Sequence, residues 1–182
     1  MRTFIAFPLP LEIKESIAET QDKLKDCHLD AKWVEPTNLH ITLKFLGEIQ
    51  EAVVSKVEEI LENIGTNFSS VNVNLKEFGF FPNEKKPRVF FISTDQEDYL
   101  RSISLTLEEK LEEIGFKKEE RFKSHITIAR FRSKKNLDCL FRRIKNIKIE
   151  RSFFIREIVF FKSILTSRGP IYEEIFKINL KT

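Results

Sequence analysis

Two stretches, "NLHITLKFLGE" at residues 38–48 and "SHITIARFR" at 124–132, carry the same tripeptide on the same alternating pattern. Strict apolar–polar alternation marks a half-buried β-strand. One face of each strand is then apolar, and the other presents His40, Thr42 and Lys44, or His125 and Thr127. A slide of 85 residues lays His40 on His125 and Thr42 on Thr127, and also lays "TFIAF" (3–7) on "RVFFI" (88–92). Such self-similarity requires two comparable halves, approximately residues 1–87 and 88–182 of one bilobal domain.

Helical spacing follows each leading strand: Ile13, Ile17 and Leu24 in the first half, and Tyr99, Ile103, Leu107, Leu111 and Ile114 in the second. Gly115 supplies a helix stop. After each histidine strand comes another helical pattern. Val53, Val57, Ile60, Leu61 and Ile64 mark the first, with Gly65 expected to close it; Leu137, Leu140, Phe141 and Ile144 mark the second. Strands are predicted at 71–81, 152–165 and 171–180, with turns at Pro82–Pro87 and Gly169-Pro170. Each half reads as β-α-β-β-α-β-β. The predicted fold is α+β: two pseudo-symmetric lobes, each an antiparallel sheet with helices on its outer face, around a central cleft. A pseudo-two-fold axis would set the two His-Thr faces opposite one another there.

On a strand, residues i and i+2 share a side, so each strand offers one imidazole and one hydroxyl to the same space. A phosphodiester fits two such pairs. Its non-bridging oxygens accept hydrogen bonds from the threonines, and its attacking and leaving oxygens lie in line between the imidazoles. An unperturbed pKa near 6.5 lets one histidine act as base while the other acts as acid. Lys44 faces the cleft by period and would offset phosphate charge. Arg130, five residues beyond His125, points away by strict alternation and reaches the cleft only through a bulge or strand end. His28 has no comparable company and reads as a surface residue after the first helix. Phe7, Phe45 and Phe81 fall near the cleft and could stack on a base, but with 18 Phe in the chain they are expected in the core.

Composition narrows the alternatives. A net charge of +3 suits a local anionic site better than a polyanion sleeve. Five glycines form neither GxxxxGK nor GxGxxG, which argues against an ATP-dependent ligase or kinase, and no HExxH or CxxC argues for a metal enzyme. No metal or cofactor is expected. Cys27 and Cys139 are expected to be reduced, in a cytoplasmic protein without membrane attachment.

"HITLKFLGE" and "HITIAR" resemble the paired H-x-T signatures of the 2H phosphoesterase superfamily, and more closely the RNA 2′,3′-cyclic phosphodiesterase (2′-5′ RNA ligase) family. "MRTFIAFPLP", "FGFFP" (78–82) and "SILTSRGPIYE" (163–173) extend the likeness over nearly the whole chain. The resemblance implies metal-free hydrolysis of a terminal 2′,3′-cyclic phosphate on RNA to a 2′-phosphate. It makes His40 the general acid and His125 the general base, with Thr42, Thr127, Arg130 and Lys44 on the phosphate. Attack by an RNA hydroxyl in place of water would give 2′-5′ ligation. The implied partner is RNA with a cyclic phosphate end, tRNA fragments among the candidates, bound by a monomer whose cleft also accepts nucleotides. The competing readings are a non-catalytic RNA-binding module and a phosphodiesterase for another cyclic or 2′-5′ linked nucleotide.

Overall fold

The computed structural model describes all 182 residues. The first half runs β1 (Arg2–Pro8), α1 (Leu11–Lys25), β2 (Ala31–Trp33), a 3-10 turn (Pro36–Asn38), β3 (His40–Glu48), α2 (Glu51–Asn67) and β4 (Val71–Phe81). The second runs β5 (Val89–Thr94), α3 (Glu97–Glu113), β6 (His125–Phe131), α4 (Leu137–Ile144), β7 (Ser152–Ile155), β8 (Glu157–Thr166) and β9 (Gly169–Asn179). The fold is α+β, as predicted. The second half lacks a short strand between α3 and β6, and residues 152–165 form two strands broken at Arg156 rather than one.

The strands follow the order β7-β4-β5-β6-β3-β1-β8-β9, with β2 paired to β6. Two four-stranded groups meet where β3 and β6 touch through one register pair, Ile41 opposite Ile126. Those residues are themselves 85 apart, so the pseudo-two-fold passes through their contact. The groups are not the sequence halves. β4 leaves the first half to pair with β5, and β8 leaves the second to pair with β1. Each half completes the other's sheet, and the break at Arg156 is where the chain crosses from β4's edge to β1's.

The apolar faces of the strands share one continuous core with the helices. Ile41, Leu43, Ile126 and Ile128 are buried in it with Ile13 and Ile17 of α1, Leu61 of α2 and Leu107 of α3. Gly65 does not end its helix. It lies inside α2, where a Cβ would stand 2.9 Å from the Asn179 carbonyl oxygen, so its bareness lets α2 close on β9. Gly115, at φ +104, follows α3 as expected.

The expected pair of reduced cysteines is overturned. Cys27, just after α1, and Cys139, on α4, form a disulfide with Cα atoms 5.7 Å apart. That separation lies within the range a disulfide spans. A sequence separation of 112 residues conceals this proximity, which arises only when α1 and α4 pack on the same side. No helix is long and apolar enough to cross a membrane.

Candidate active site

The register around Ile41 and Ile126 places His40 beside Thr127 and Thr42 beside His125, one residue to either side of the pair. The two histidines are then diagonal neighbours, about 7–8 Å apart between strands. All four side chains line one cleft of about 750 Å³ on the face opposite the helices.

Both imidazoles are held the same way. His40 Nδ1 lies 2.6 Å from the Asn38 carbonyl oxygen, and His125 Nδ1 lies 2.6 Å from that of Lys123. A carbonyl only accepts, so each Nδ1 carries the proton and each neutral ring turns an Nε2 lone pair elsewhere. The carbonyl two residues back comes from the same position in each half. Aromatic rings fix the planes: Phe4 and Tyr172 against His40, at centroid distances of 5.0 and 5.6 Å, and Phe81 and Phe91 against His125, at 5.0 and 5.4 Å.

The loop that delivers His125 is held by α3. The Glu97 carboxylate accepts the Ser124 N–H at 3.0 and 3.1 Å, and Glu108 accepts the Glu119 N–H at 3.0 Å. On the other strand, the Asn38 side chain donates to the Pro170 carbonyl at 2.9 Å, tying the segment before His40 to the β8–β9 turn.

Burial is the main reason both histidines resist protonation. It pushes His40 down to about 4, against the Asn38 carbonyl, which favours the cation; His125, Lys14 and Arg130 lower it further. His125 is also lowered, first by burial, with Arg130 and Lys123 adding to the effect and the Lys123 carbonyl and Glu97 opposing it. The site is therefore poised to accept protons when an anion arrives to stabilise them.

A bulge decides the remaining residues. β1 pairs Ala6 with Thr42 but Ile5 with Lys44, so one extra residue sits in β3 at Leu43. β5 pairs Phe91 with Thr127 but Phe90 with Ala129, which places the matching bulge at Ile128. Each bulge reverses the alternation. Arg130 thereby turns into the cleft, by the route the sequence left open. Lys44 turns out of it. It is 5% exposed and packs toward α3, where its Nζ donates to Glu108 Oε2 at 2.9 Å and to the Lys117 carbonyl at 2.7 Å. The expectation that Lys44 binds phosphate is corrected on this ground: a buried ammonium already spent on a carboxylate has no reach into the cleft. Phe45 takes the place that period assigned to Lys44. It is 63% exposed and lines the cleft, contrary to a core role. Phe7 is fully buried, while Phe81 is half-buried against His125. His28 is exposed, as predicted.

Tyr172 was not singled out by the sequence reading, nor were Asn38 and Glu97. The Tyr172 ring packs on Phe4 and His40 at the cleft wall, and burial raises its hydroxyl's pKa, against Arg130 and Arg2. A usable signal existed. In a chain with 18 Phe and two Tyr, a tyrosine facing a half-buried site marks a hydroxyl that phenylalanine could not supply. No group of three or more His, Cys, Asp or Glu is placed to hold a metal ion.

Two facing His-Thr pairs on a duplicated α+β scaffold define a two-histidine phosphoesterase. The chain belongs to the LigT like phosphoesterase family, which matches it twice, over residues 7–91 and 92–172. It is 39% identical to the RNA 2′,3′-cyclic phosphodiesterase of Methanocaldococcus jannaschii over 178 residues, covering 96% of this chain and 98% of the relative. It is 34% identical to the protein of the same name from Thermotoga maritima, covering 97% and 94%. Among solved structures, TT0787 of Thermus thermophilus superimposes with a TM-score of 0.83 at 27% identity, covering 100% and 98%. Apo E. coli LigT does so at 0.80 and 22% identity, again covering 100% and 98%.

Proposed function

We propose that the protein hydrolyses 2′,3′-cyclic phosphate termini of RNA to 2′-phosphates without a metal ion. The observation that carries this reading is the pair of Nδ1-protonated imidazoles whose Nε2 atoms share a cleft with two threonine hydroxyls and Arg130. Full-length relatives named RNA 2′,3′-cyclic phosphodiesterase support the choice of substrate.

In the proposed reaction, Thr42, Thr127 and Arg130 hold the non-bridging oxygens of the cyclic phosphate. His125 Nε2 takes a proton from water as its oxygen bonds to phosphorus. The bond from phosphorus to the 3′ oxygen breaks, and His40 Nε2–H gives that oxygen its proton. The products are a 2′-phosphomonoester and a 3′-hydroxyl. In the free site the Thr42 hydroxyl lies 2.8 Å from His40 Nε2 and satisfies it. Substrate must redirect that hydroxyl to phosphate, which frees Nε2 for proton transfer. Burial lowers both imidazoles in the free site. His40 therefore acts as acid only once bound substrate favours its protonated form. A substrate with sulfur at the 3′ leaving position tests it, because a thiolate leaves without protonation: the acid variant regains activity on it and the base variant does not.

Phe45 is the proposed platform for the terminal base, since stacking tolerates any base. The same site accommodates 2′-5′ ligation when an RNA hydroxyl replaces water. The proposal keeps a monomeric, cytoplasmic enzyme acting on RNA fragments such as cleaved tRNA.

The decisive experiment uses a short RNA ending in a 2′,3′-cyclic phosphate, in EDTA, with the product's phosphate position determined. A 2′-phosphate is expected. A 3′-phosphate would reverse the docking of the ribose, and no turnover by folded protein near pH 7 would replace this reading with an RNA-binding module or with an enzyme for another cyclic or 2′-5′ phosphodiester.

A further inference from the structure

An RNA end longer than one nucleotide brings a second phosphodiester, and the cleft rim carries cations that the reaction above does not use. Lys32 lies on β2, and Arg168 lies in the turn between β8 and β9. Both are exposed, and both line the cleft. Neither takes part in any of the protein's ion pairs.

Their placement is not that of scattered surface charge. Lys32 is the cross-strand partner of Arg130, so the two side chains share one face of the sheet. From there the lysine spans toward the other strand group: a Cβ on Gly169 would lie 3.5 Å from its Nζ. Arg168 is the residue before that glycine. Cations from the β6 group and the β1 group therefore converge at the rim, and a row Arg130–Lys32–Arg168 leads outward from the reacting phosphate; the cleft's two carboxylates, Glu35 and Glu48, pair with none of the three. Trp33, the chain's one tryptophan, forms the wall beside it. The concavity on the far side of His40 is chemically different. It shares Arg168 and Glu35 with the cleft, but its own cation, Lys14, already donates to the Thr37 carbonyl at 3.1 Å, and Glu174 adds a further carboxylate.

We propose that Lys32 and Arg168 form a subsite for the phosphodiester one nucleotide upstream of the cyclic phosphate, so that RNA leaves the cleft between β2 and the β8–β9 turn. The inference rests on the cyclic-phosphate reading. It makes the enzyme a reader of polynucleotide ends rather than of free cyclic nucleotides.

The test compares kcat/KM for three substrates: a nucleoside 2′,3′-cyclic phosphate, a dinucleotide ending in one, and that dinucleotide with a neutral methylphosphonate as its internal linkage. The wild-type enzyme should prefer the charged dinucleotide by about tenfold or more, the scale of charge-assisted hydrogen bonds. It should treat the methylphosphonate like the mononucleotide. Lys32→Ala with Arg168→Ala should abolish the preference and its salt dependence while leaving the mononucleotide rate unchanged. Equal losses on mononucleotide and dinucleotide would overturn the proposal, as would a preference that survives the double variant or the neutral linkage. Failure of the wild-type enzyme on all three substrates would instead overturn the cyclic-phosphate reading itself.

Discussion

The β3 and β6 strands begin alike and end differently. Both present His-Ile-Thr, both anchor the imidazole on a carbonyl two residues back, and both bulge after the threonine. Beyond the bulge, Lys44 and Phe45 on β3 stand where Ala129 and Arg130 stand on β6. The inward position is an ion-paired lysine in one strand and an alanine in the other. The position in the cleft is a phenyl ring in one and a guanidinium in the other. A symmetric pair of catalytic groups would bind an RNA end in either sense. The broken symmetry at residues 45 and 130 gives the cleft an apolar end and a cationic end, and so one direction.

The largest expected effect tests what the strands share. His40→Ala and His125→Ala should each lower kcat by about 10²–10⁴-fold. The double variant should be little worse than either single one, because acid and base act as a unit. Unequal losses between the singles would show that asymmetry reaches the chemistry itself.

Lys44→Ala tests the first difference. It leaves Glu108, whose side chain is 3% exposed, buried without its partner. Breaking such a pair costs about 3–5 kcal/mol, read as a lower urea midpoint. KM for cyclic phosphate should not change. A raised KM with unchanged stability would return Lys44 to the phosphate.

Arg130→Gln and Phe45→Ala sharpen the second difference. The arginine change should cost about 10–100-fold in kcat/KM, as loss of a charge-assisted contact to phosphate. The phenylalanine change should raise KM by about tenfold with kcat retained, the scale of one base stack. Equal effects on kcat would erase the distinction between the two ends.

The smallest effect is in the pH profiles. Both imidazoles titrate below 6.5 in the free protein, His40 at about 4. The protonated partner needed as acid is lost as pH rises through those values, so kcat/KM should peak below pH 6.5. Bound phosphate raises both values, so kcat should peak at higher pH. Glu97→Gln removes a charge that raises His125 and should move the kcat/KM limb further toward acid. Coincident peaks for kcat and kcat/KM would contradict this electrostatic account. Stability follows the same sign: the unfolded chain binds more protons at His40 between about 4 and 6.5, so the contribution of His40 to stability rises with pH across that window and is constant above it.

The cleft-lining face was legible because alternation is a local property: His40 and Thr42 share a side whatever the strand pairs with. The repeat then made their coincidence with His125 and Thr127 informative. Lys44 and Phe45 were misplaced because a bulge is set by the partner strand, where Ala6 and Ile5 oppose residues 42 and 44. Arg130 was recoverable only as an exception to period. The strand exchange was hidden for a related reason, since the apolar pattern of β8 is the same whether it joins β7 or β1. Cys27 and Cys139, 112 residues apart, carry no spacing signal at all.

The exchange of β4 and β8 also sets a timetable for synthesis. β1 leaves the ribosome before every other strand of this fold, yet one of its two neighbours, β8, follows all of them but β9. Until then "TFIAF" keeps an open, apolar strand edge, the kind of surface that pairs with other chains. The second-half group, by contrast, has β4 waiting when β5 and β6 emerge. The group built around His125 can therefore begin to assemble early in translation, while the one built around His40 closes only once β8 has emerged.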